Sequence, residues 1–429
     1  MPVAEGRTDP KPQTQSPPAR GPIRFDAFAY RNFTIFWFSL VVTNTGTWMA
    51  SVAEGWLITD LEPERKSLYL GFIAMSFAIP MLVLPPIGGV LADRLPRLTG
   101  IKLTQTAFLI VNSAVAALAL TGHLNVHGLI AAAFAAALVL AFDSPIRHAM
   151  VPDLVPREHL TSAVSLNSVA FSGAGLIGPA VGGLLIPLIG TSGVFLINAI
   201  SSLSVLIALK FLHDLPESAK VRSDHRGDDP RAALNRAIHY IRDTPLISML
   251  FLAALVAGVF ARSYSIMLPV LSRDIYQVGS TGNGILISAA GLGALLGGLT
   301  VSAIANRLEK RGRLILLLVA TQGIVLGSLA LHHTFLIGVL SMLIVGAVGA
   351  AAVALITAIV QEEVEPQLRG RVMGFFLLTF ISFPSVGSFL LGLLADRTSI
   401  QWSFALFAVI VVSLMAAITV RAPTLRRAA

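Results

Sequence analysis

Three charged side chains stand inside or at the edge of long apolar stretches: Glu54, Asp143 and Arg262. Charge in hydrocarbon is expensive, so each is a candidate for handling a proton or a charged group. A carboxylate in apolar surroundings favours its protonated form, and a neighbouring guanidinium reverses that preference, so such a pair is suited to taking up and releasing a proton. Asp143 lies one turn before Arg147, which makes a local i,i+4 ion pair the competing reading for that residue. His123, His127, His332 and His333 fall in loops with no third ligand beside them, so no metal site is expected. The chain carries no Gly-x-x-x-x-Gly-Lys-Ser/Thr phosphate cradle, no His-Glu-x-x-His and no Gly-x-Ser-x-Gly. ATP-driven pumping, zinc hydrolysis and serine hydrolysis therefore have no support, and no cofactor and no enzyme activity are expected.

The elements that must position these residues are membrane helices. Of 429 residues, 55% are hydrophobic and 13% charged, against about 25% charged in soluble domains. Mean hydropathy is +0.78. With windows of about 20 residues, twelve spans emerge, near 33–58, 68–92, 100–121, 126–146, 162–187, 192–212, 246–271, 281–305, 313–331, 335–360, 371–395 and 401–420. The expected fold is an all-α integral membrane protein of twelve transmembrane helices. Cysteine is absent, which excludes a disulfide framework and Cys-ligated metal. The polar, proline-rich residues 1–22 contain no apolar signal core, so no cleaved leader is expected and residues 1–32 form a disordered cytosolic tail.

The basic residues orient the spans. With both termini cytoplasmic, 26 of the 31 Lys and Arg fall on cytoplasmic segments, Arg65, Lys66, Arg273 and Arg397 fall outside, and Arg262 is within a span. That asymmetry satisfies the positive-inside rule, and it accounts for the net charge of +8 without a nucleic-acid partner. The longest connection, 213–245, divides the chain into six-helix bundles at 33–212 and 246–420, with a short tail at 421–429. Within the connection, "PRAALNRAIHYIRD" puts Leu234, Ala237, Ile238 and Ile241 on one helical face. Such a helix either lies on anionic membrane lipid or is a plain connector.

A weak repeat relates the halves. Setting Pro156 of "LVPREHLTSAV" on Pro366 of "VEPQLRGRVMG" gives an offset of 210 residues, which places Gly182 on Gly392 and Glu54 on Tyr264. Two repeated six-helix units imply alternating access around a site at their interface. In "GGVLADRLPR" (88–97), Gly88 and Gly89 permit close helix approach, and Asp93 is suited to face a helix N-terminus. "GLLADR" at 392–397 echoes that string but falls on the opposite side of the membrane, as a span end with an Asp–Arg cap. In "GLIGPAVGG" (175–183), Gly178 and Pro179 loosen the backbone while Gly182 and Gly183 admit a neighbouring helix. Bland packing is the alternative for that stretch.

The spans, the central loop and the residues Gly89, Asp93, Arg94 and Arg97 resemble the major facilitator superfamily; Pro96 and Leu98 depart from its usual Gly and basic residue. "RNFTIFWFSLVVTNTGTWMASVAEGWLITD", "SPIRHAMVPDLVPREHLTSAVSLNS", "GPAVGG" and "LRGRVMGFF" resemble one branch, the enterobactin-exporter and macrolide-efflux-like proteins. The resemblance implies that Asp93 meets the start of the eleventh span near Arg371, as a gating latch closed when the site faces outward. It implies that Arg94 and Arg97 pair with Asp153 or Glu158. It implies that "GPAVGG" is antiporter-type helix packing, and that spans one, four, seven and ten line a central cavity. Asn44, Thr47, Trp48 and Tyr264 are then candidate wall groups, with ordinary packing as the alternative for each. Glu54 and Arg262 are expected to face each other across that cavity as a proton-coupling pair. Against this, 21 residues from Phe33 to Glu54 span ~31 Å, enough to put Glu54 among the outer headgroups.

Together these features predict a secondary transporter of a bacterial inner membrane, exporting a hydrophobic or amphipathic small molecule of drug, macrolide or siderophore type by proton antiport. Its partners are that substrate, protons and membrane lipid. A lysophospholipid flippase of the same fold is the first alternative, and an importer or a non-transporting scaffold follows.

Overall fold

The computed structural model describes residues 25–84, 96–212 and 230–421. Every regular element among them is helical. In chain order these are α1 (Arg31–Leu61), α2 (Lys66–Val83), α3 (Arg97–Leu120), α4 (Val126–Met150), α5 (Leu160–Lys210), α6 (Pro230–Asp243), α7 (Pro245–Val256), α8 (Leu268–Val270), α9 (Gly279–Ile304), α10 (Arg311–Ser328), α11 (Phe335–Glu363), α12 (Pro366–Arg397) and α13 (Ile400–Arg421). Local signals set several boundaries. Asn125 accepts the Gly128 N–H at 2.8 Å and caps α4, while Pro245 and Pro366 open α7 and α12, where a missing N–H is harmless.

Ten stretches of the described residues are long and apolar enough to cross a membrane. The difference from twelve has two physical sources. Polar residues on the cavity-facing side of α1 dilute its hydropathy, and it is not among the ten although it runs for 31 residues. The other source is α5, whose 51 residues are two helices joined directly across a kink, each limb long enough for a hydrocarbon core of about 30 Å. It bends at Gly190, whose φ of 71° a side chain would disfavour. That bend falls between the two spans expected at 162–187 and 192–212.

The bundle's outer surface is greasy. Leu103, Ile110, Leu188, Leu317 and Val409 are all more than 60% exposed, an arrangement that water would penalise and acyl chains would not. Inside, α1 packs along α5, α2 along α12, and α5 along α9. The α5–α9 seam is drawn tight by small residues. A Cβ on Gly183 would lie 2.6 Å from the Ser280 carbonyl oxygen, and one on Gly284 would strike the Pro179 carbonyl. Pro187 has no N–H for the Gly183 carbonyl one turn back. That oxygen accepts instead from the hydroxyls of Ser280 (3.3 Å) and Thr281 (3.2 Å) on α9. Gly178 and Gly182 serve the adjacent face of α5, meeting Trp48, the Thr45 carbonyl and Met49 of α1.

The segment after α7 is irregular. A π turn at Ala257–Ala261 and a 3-10 turn at Ser263–Met267 lead into α8, followed by a second π turn at Leu271–Ile275. Ser388 of α12 donates to the Ser263 carbonyl at 3.0 Å, which satisfies part of the freed backbone.

Candidate functional site

A cavity of about 560 Å³ opens among α1–α5, bordered by α12 and the turn after α7. From α1 come Asn44, Thr47, Trp48, Ser51 and Glu54, a spacing of three and four residues that keeps them on one helical face. The facing wall on α4 is built from Ala132, Ala133, Ala136, Ala137 and Leu140; the alanines leave the volume that larger side chains would fill. Phe77, Phe108, Phe171 and Phe195 supply aromatic surface, with the Trp48 and Phe171 rings edge-on at 6.3 Å. Asn112, Asn198 and Ser202 form a polar strip, in which the Asn112 amide donates to Ser202 Oγ at 2.8 Å. From the helices after α6 the cavity receives Ser265, Ile266, Pro384, Ser385 and Ser388.

The expected spans one, four and seven thus reach the cavity, but α11, the expected tenth, lines none of it; α2, α3, α5 and α12 do. Of the expected wall groups, Asn44, Thr47 and Trp48 line it and Tyr264 does not. Glu54 lies on the wall, and no hydrogen bond or ion pair to its carboxylate is present among the described residues. The structure does not bring Arg262 to it. Arg262 falls at the junction of the π and 3-10 turns, is absent from the wall, and sets its guanidinium carbon 4.1 Å from the Phe380 ring centre. Its Nε is buried without a hydrogen-bond acceptor.

Asp143 is fully buried, and both carboxylate oxygens are taken. One accepts the Thr104 hydroxyl at 2.6 Å and the Gln105 amide at 2.8 Å, and the other pairs with Arg147. Arg147 also lines the cavity, a role the sequence did not assign. Arg97 bonds both oxygens of Asp153 at 2.7 Å. Arg371 falls in the first turns of α12 and has an interaction partner. Gly89, Asp93 and Arg94 lie outside the described residues.

The profile of the transmembrane secretion effector family matches residues 23–429. The chain belongs to that family, a branch of the major facilitator superfamily. The transporter is 22% identical over 370 residues to the staphyloferrin A transporter of Staphylococcus aureus, covering 85% of this chain and 89% of that one. It is 24% identical over 381 residues to the multidrug efflux pump Tap of Mycolicibacterium fortuitum, covering 86% and 90%. Against enterobactin exporter EntS of Shigella boydii, identity is 26% over 246 residues, 57% of each chain. Its fold matches an inward-facing bacterial homologue of the human lysosomal transporter Spinster, with a TM-score of 0.72 at 14% identity over 92% of this chain and 98% of that one. The nucleoside transporter NupG also scores 0.72, at 15% identity over 91% and 98%.

At one end of the described residues, ion pairs join helices before residue 213 to the chain after residue 245. Arg273, in the second π turn, pairs with Asp60 of α1 at 2.5 Å, donates to Thr59 at 2.6 Å, and stands 5.2 Å from the Trp56 ring centre. Beside it, Lys66 of α2 pairs with Asp274 at 2.7 Å. The ion pairs described at the other end, Arg97–Asp153, His159–Asp26 and Arg311–Glu362, each join residues on the same side of 213–245.

Proposed function

We propose that this transporter is a secondary active exporter of a hydrophobic or amphipathic small molecule, driven by proton antiport in a bacterial inner membrane. The chain crosses twelve times, counting α1 and both limbs of α5, with both termini in the cytoplasm and six-helix bundles on either side of residues 213–245. The basic-residue asymmetry supports that orientation. It makes the end bolted by Arg273 and Lys66 external, and the cavity inward-facing.

The observation that carries this reading is Glu54: a carboxylate without a partner among the described residues, on the wall of a largely apolar cavity. Binding a proton there removes an expensive charge, and losing it restores one, so the two faces of the membrane can be distinguished by protonation. Asp143, already saturated with donors, is a structural member of the site. Arg262 acts from behind Phe380, outside the cavity. In the outward-facing state Gly89, Asp93 and Arg94 close a latch against α12 near Arg371, and the Arg97–Asp153 pair braces its base. Gly178, Pro179, Gly182 and Gly183 keep α5 within sliding distance of α1 and α9. The named siderophore and drug transporters among the relatives fit this substrate range.

The test is efflux from proteoliposomes under an imposed pH gradient, with a panel of dyes, macrolides and catecholate siderophores. A compound that moves only with the gradient, and ceases to in Glu54→Gln, is the expected result. Gradient-independent movement, unchanged in Glu54→Gln, refutes the coupling role; no movement of any member refutes the export reading for this substrate class.

A further inference from the structure

Arg262 carries a charge that the rest of the fold leaves unmatched. No ion pair or hydrogen bond to its guanidinium is present among the described residues, and its Nε is buried without an acceptor. The acidic residues after position 245 are Asp274, Glu309, Glu362, Glu363, Glu365 and Asp396. All of them stand at or beyond the ends of the membrane-long stretches, whereas Arg262 stands inside one. A buried donor left unbonded is costly, more so on a charged group, and an ionised residue within a span marks a functional site by default. Two features fit this one to an oxyanion. The first is shape: the guanidinium carbon rests 4.1 Å from the centre of the Phe380 ring, which holds a planar fork of the geometry that a carboxylate accepts with both oxygens. The second is place. Ser265 and Ile266, three and four residues further on, line the cavity, and so does Pro384, four residues after Phe380 on α12. The Arg262–Phe380 contact therefore adjoins the cavity's edge, about one turn from its wall, on the side away from Arg273.

We propose that the cargo carries a carboxylate that binds the Arg262 guanidinium at this edge, while its apolar body occupies the alanine and aromatic walls. The proposal rests on the export reading and narrows it, from amphipathic compounds in general to those bearing a carboxylate. It also divides the grip: the body touches chain before residue 213 and the carboxylate touches chain after residue 245, so one cargo spans the seam. A compound of the same shape without the carboxylate leaves the Arg262 donors unbonded and is discriminated against for that reason.

Naphthylacetate and naphthylacetamide, alike in shape and differing in charge, test it by equilibrium binding to the purified full-length protein in phosphatidylcholine nanodiscs. The expected preference is about tenfold for the carboxylate, the factor that follows from about 1.4 kcal/mol of interaction. Arg262→Gln is expected to abolish that preference while leaving the affinity for the amide unchanged. Arg262→Lys, which keeps the charge and loses the fork, is expected to retain only part of it. Equal or tighter binding of the amide by the unmodified protein overturns the proposal without reference to any variant; so does Arg262→Gln with undiminished carboxylate affinity. Acetate displacing naphthylacetate at equal concentration overturns the assignment to cargo, because a small free anion would then suffice. Flux in proteoliposomes separates the two readings. Selective carboxylate binding with no gradient-driven movement removes the export reading and upholds the site, whereas gradient-driven movement of the amide alone keeps export and overturns the site.

Discussion

Replacing Arg273 by Ala removes three contacts at once from the bolted end. The Asp60 pair has partners 36% and 42% exposed, so solvent screening leaves it about 0.5 kcal/mol. The bond from a charged group to the largely buried Thr59 contributes about 1 kcal/mol, and the guanidinium over Trp56 about 0.5 kcal/mol. The sum, about 2 kcal/mol, is lost only in the state in which the two sets of helices meet there. Arg273→Ala should therefore shift the equilibrium toward opening at that end by about thirtyfold. Because the chain contains no cysteine, a single Cys introduced at Ser51 reports the opening without background. In intact cells its modification by a membrane-impermeant thiol reagent should accelerate by a factor approaching thirty, and Asp60→Asn should give a smaller rise. An unchanged rate in Arg273→Ala, or an equal rise at a lipid-facing control such as Leu103→Cys, would refute the reasoning.

Two further perturbations probe the framework. Asp143→Ala leaves Arg147 without its buried counter-charge and strands Thr104 and Gln105, so stability in detergent should fall by about 3 kcal/mol. The double change Asp143→Ala with Arg147→Ala should recover part of that loss, as read by thermal unfolding; a double variant no better than the single would sink the pairing argument. Gly183→Ala sets a methyl group against the Ser280 carbonyl, a backbone atom that cannot swing aside, and should lower the melting temperature through about 1–3 kcal/mol of strain. An unchanged melting temperature would mean that the α5–α9 seam yields freely.

The helices were legible in the sequence because membrane length and hydropathy act locally. The Asp143–Arg147 contact was legible for the same reason, since i,i+4 neighbours meet on any helix. The relation of Glu54 to Arg262 was not. The 210-residue offset that sets Glu54 on Tyr264 gives depth and not the direction of a side chain, and the π turn at Ala257–Ala261 breaks the helical register just before Arg262. Arg262 and Tyr264 are thereby rotated off the cavity. Asn112, Asn198 and Arg147 were visible as polar residues in or beside apolar spans, yet which way they pointed depended on how α3, α4 and α5 pack. Asp60 and Arg273 stand 213 positions apart, and Arg273 entered only the count of external basic residues until the fold joined the pair.

The cavity's lopsided construction has a thermodynamic consequence. All of its wall from α1 to α5 would travel as one piece if the bundle rocks, so a cargo held by Asn44, Trp48, Phe108 or the alanines of α4 keeps those contacts in both orientations. Contacts of equal strength in two states cannot bias the choice between them, however tightly they hold the cargo. Discrimination is left to whatever changes across the seam: the few groups lent by α12 and the turn after α7, with Ser265, Ser385 and Ser388 foremost. The first five helices would then behave as a carrier and those serines as its sensor. Affinity and turnover would be tunable on separate surfaces, and one wall could broaden its range of cargo without retraining the switch.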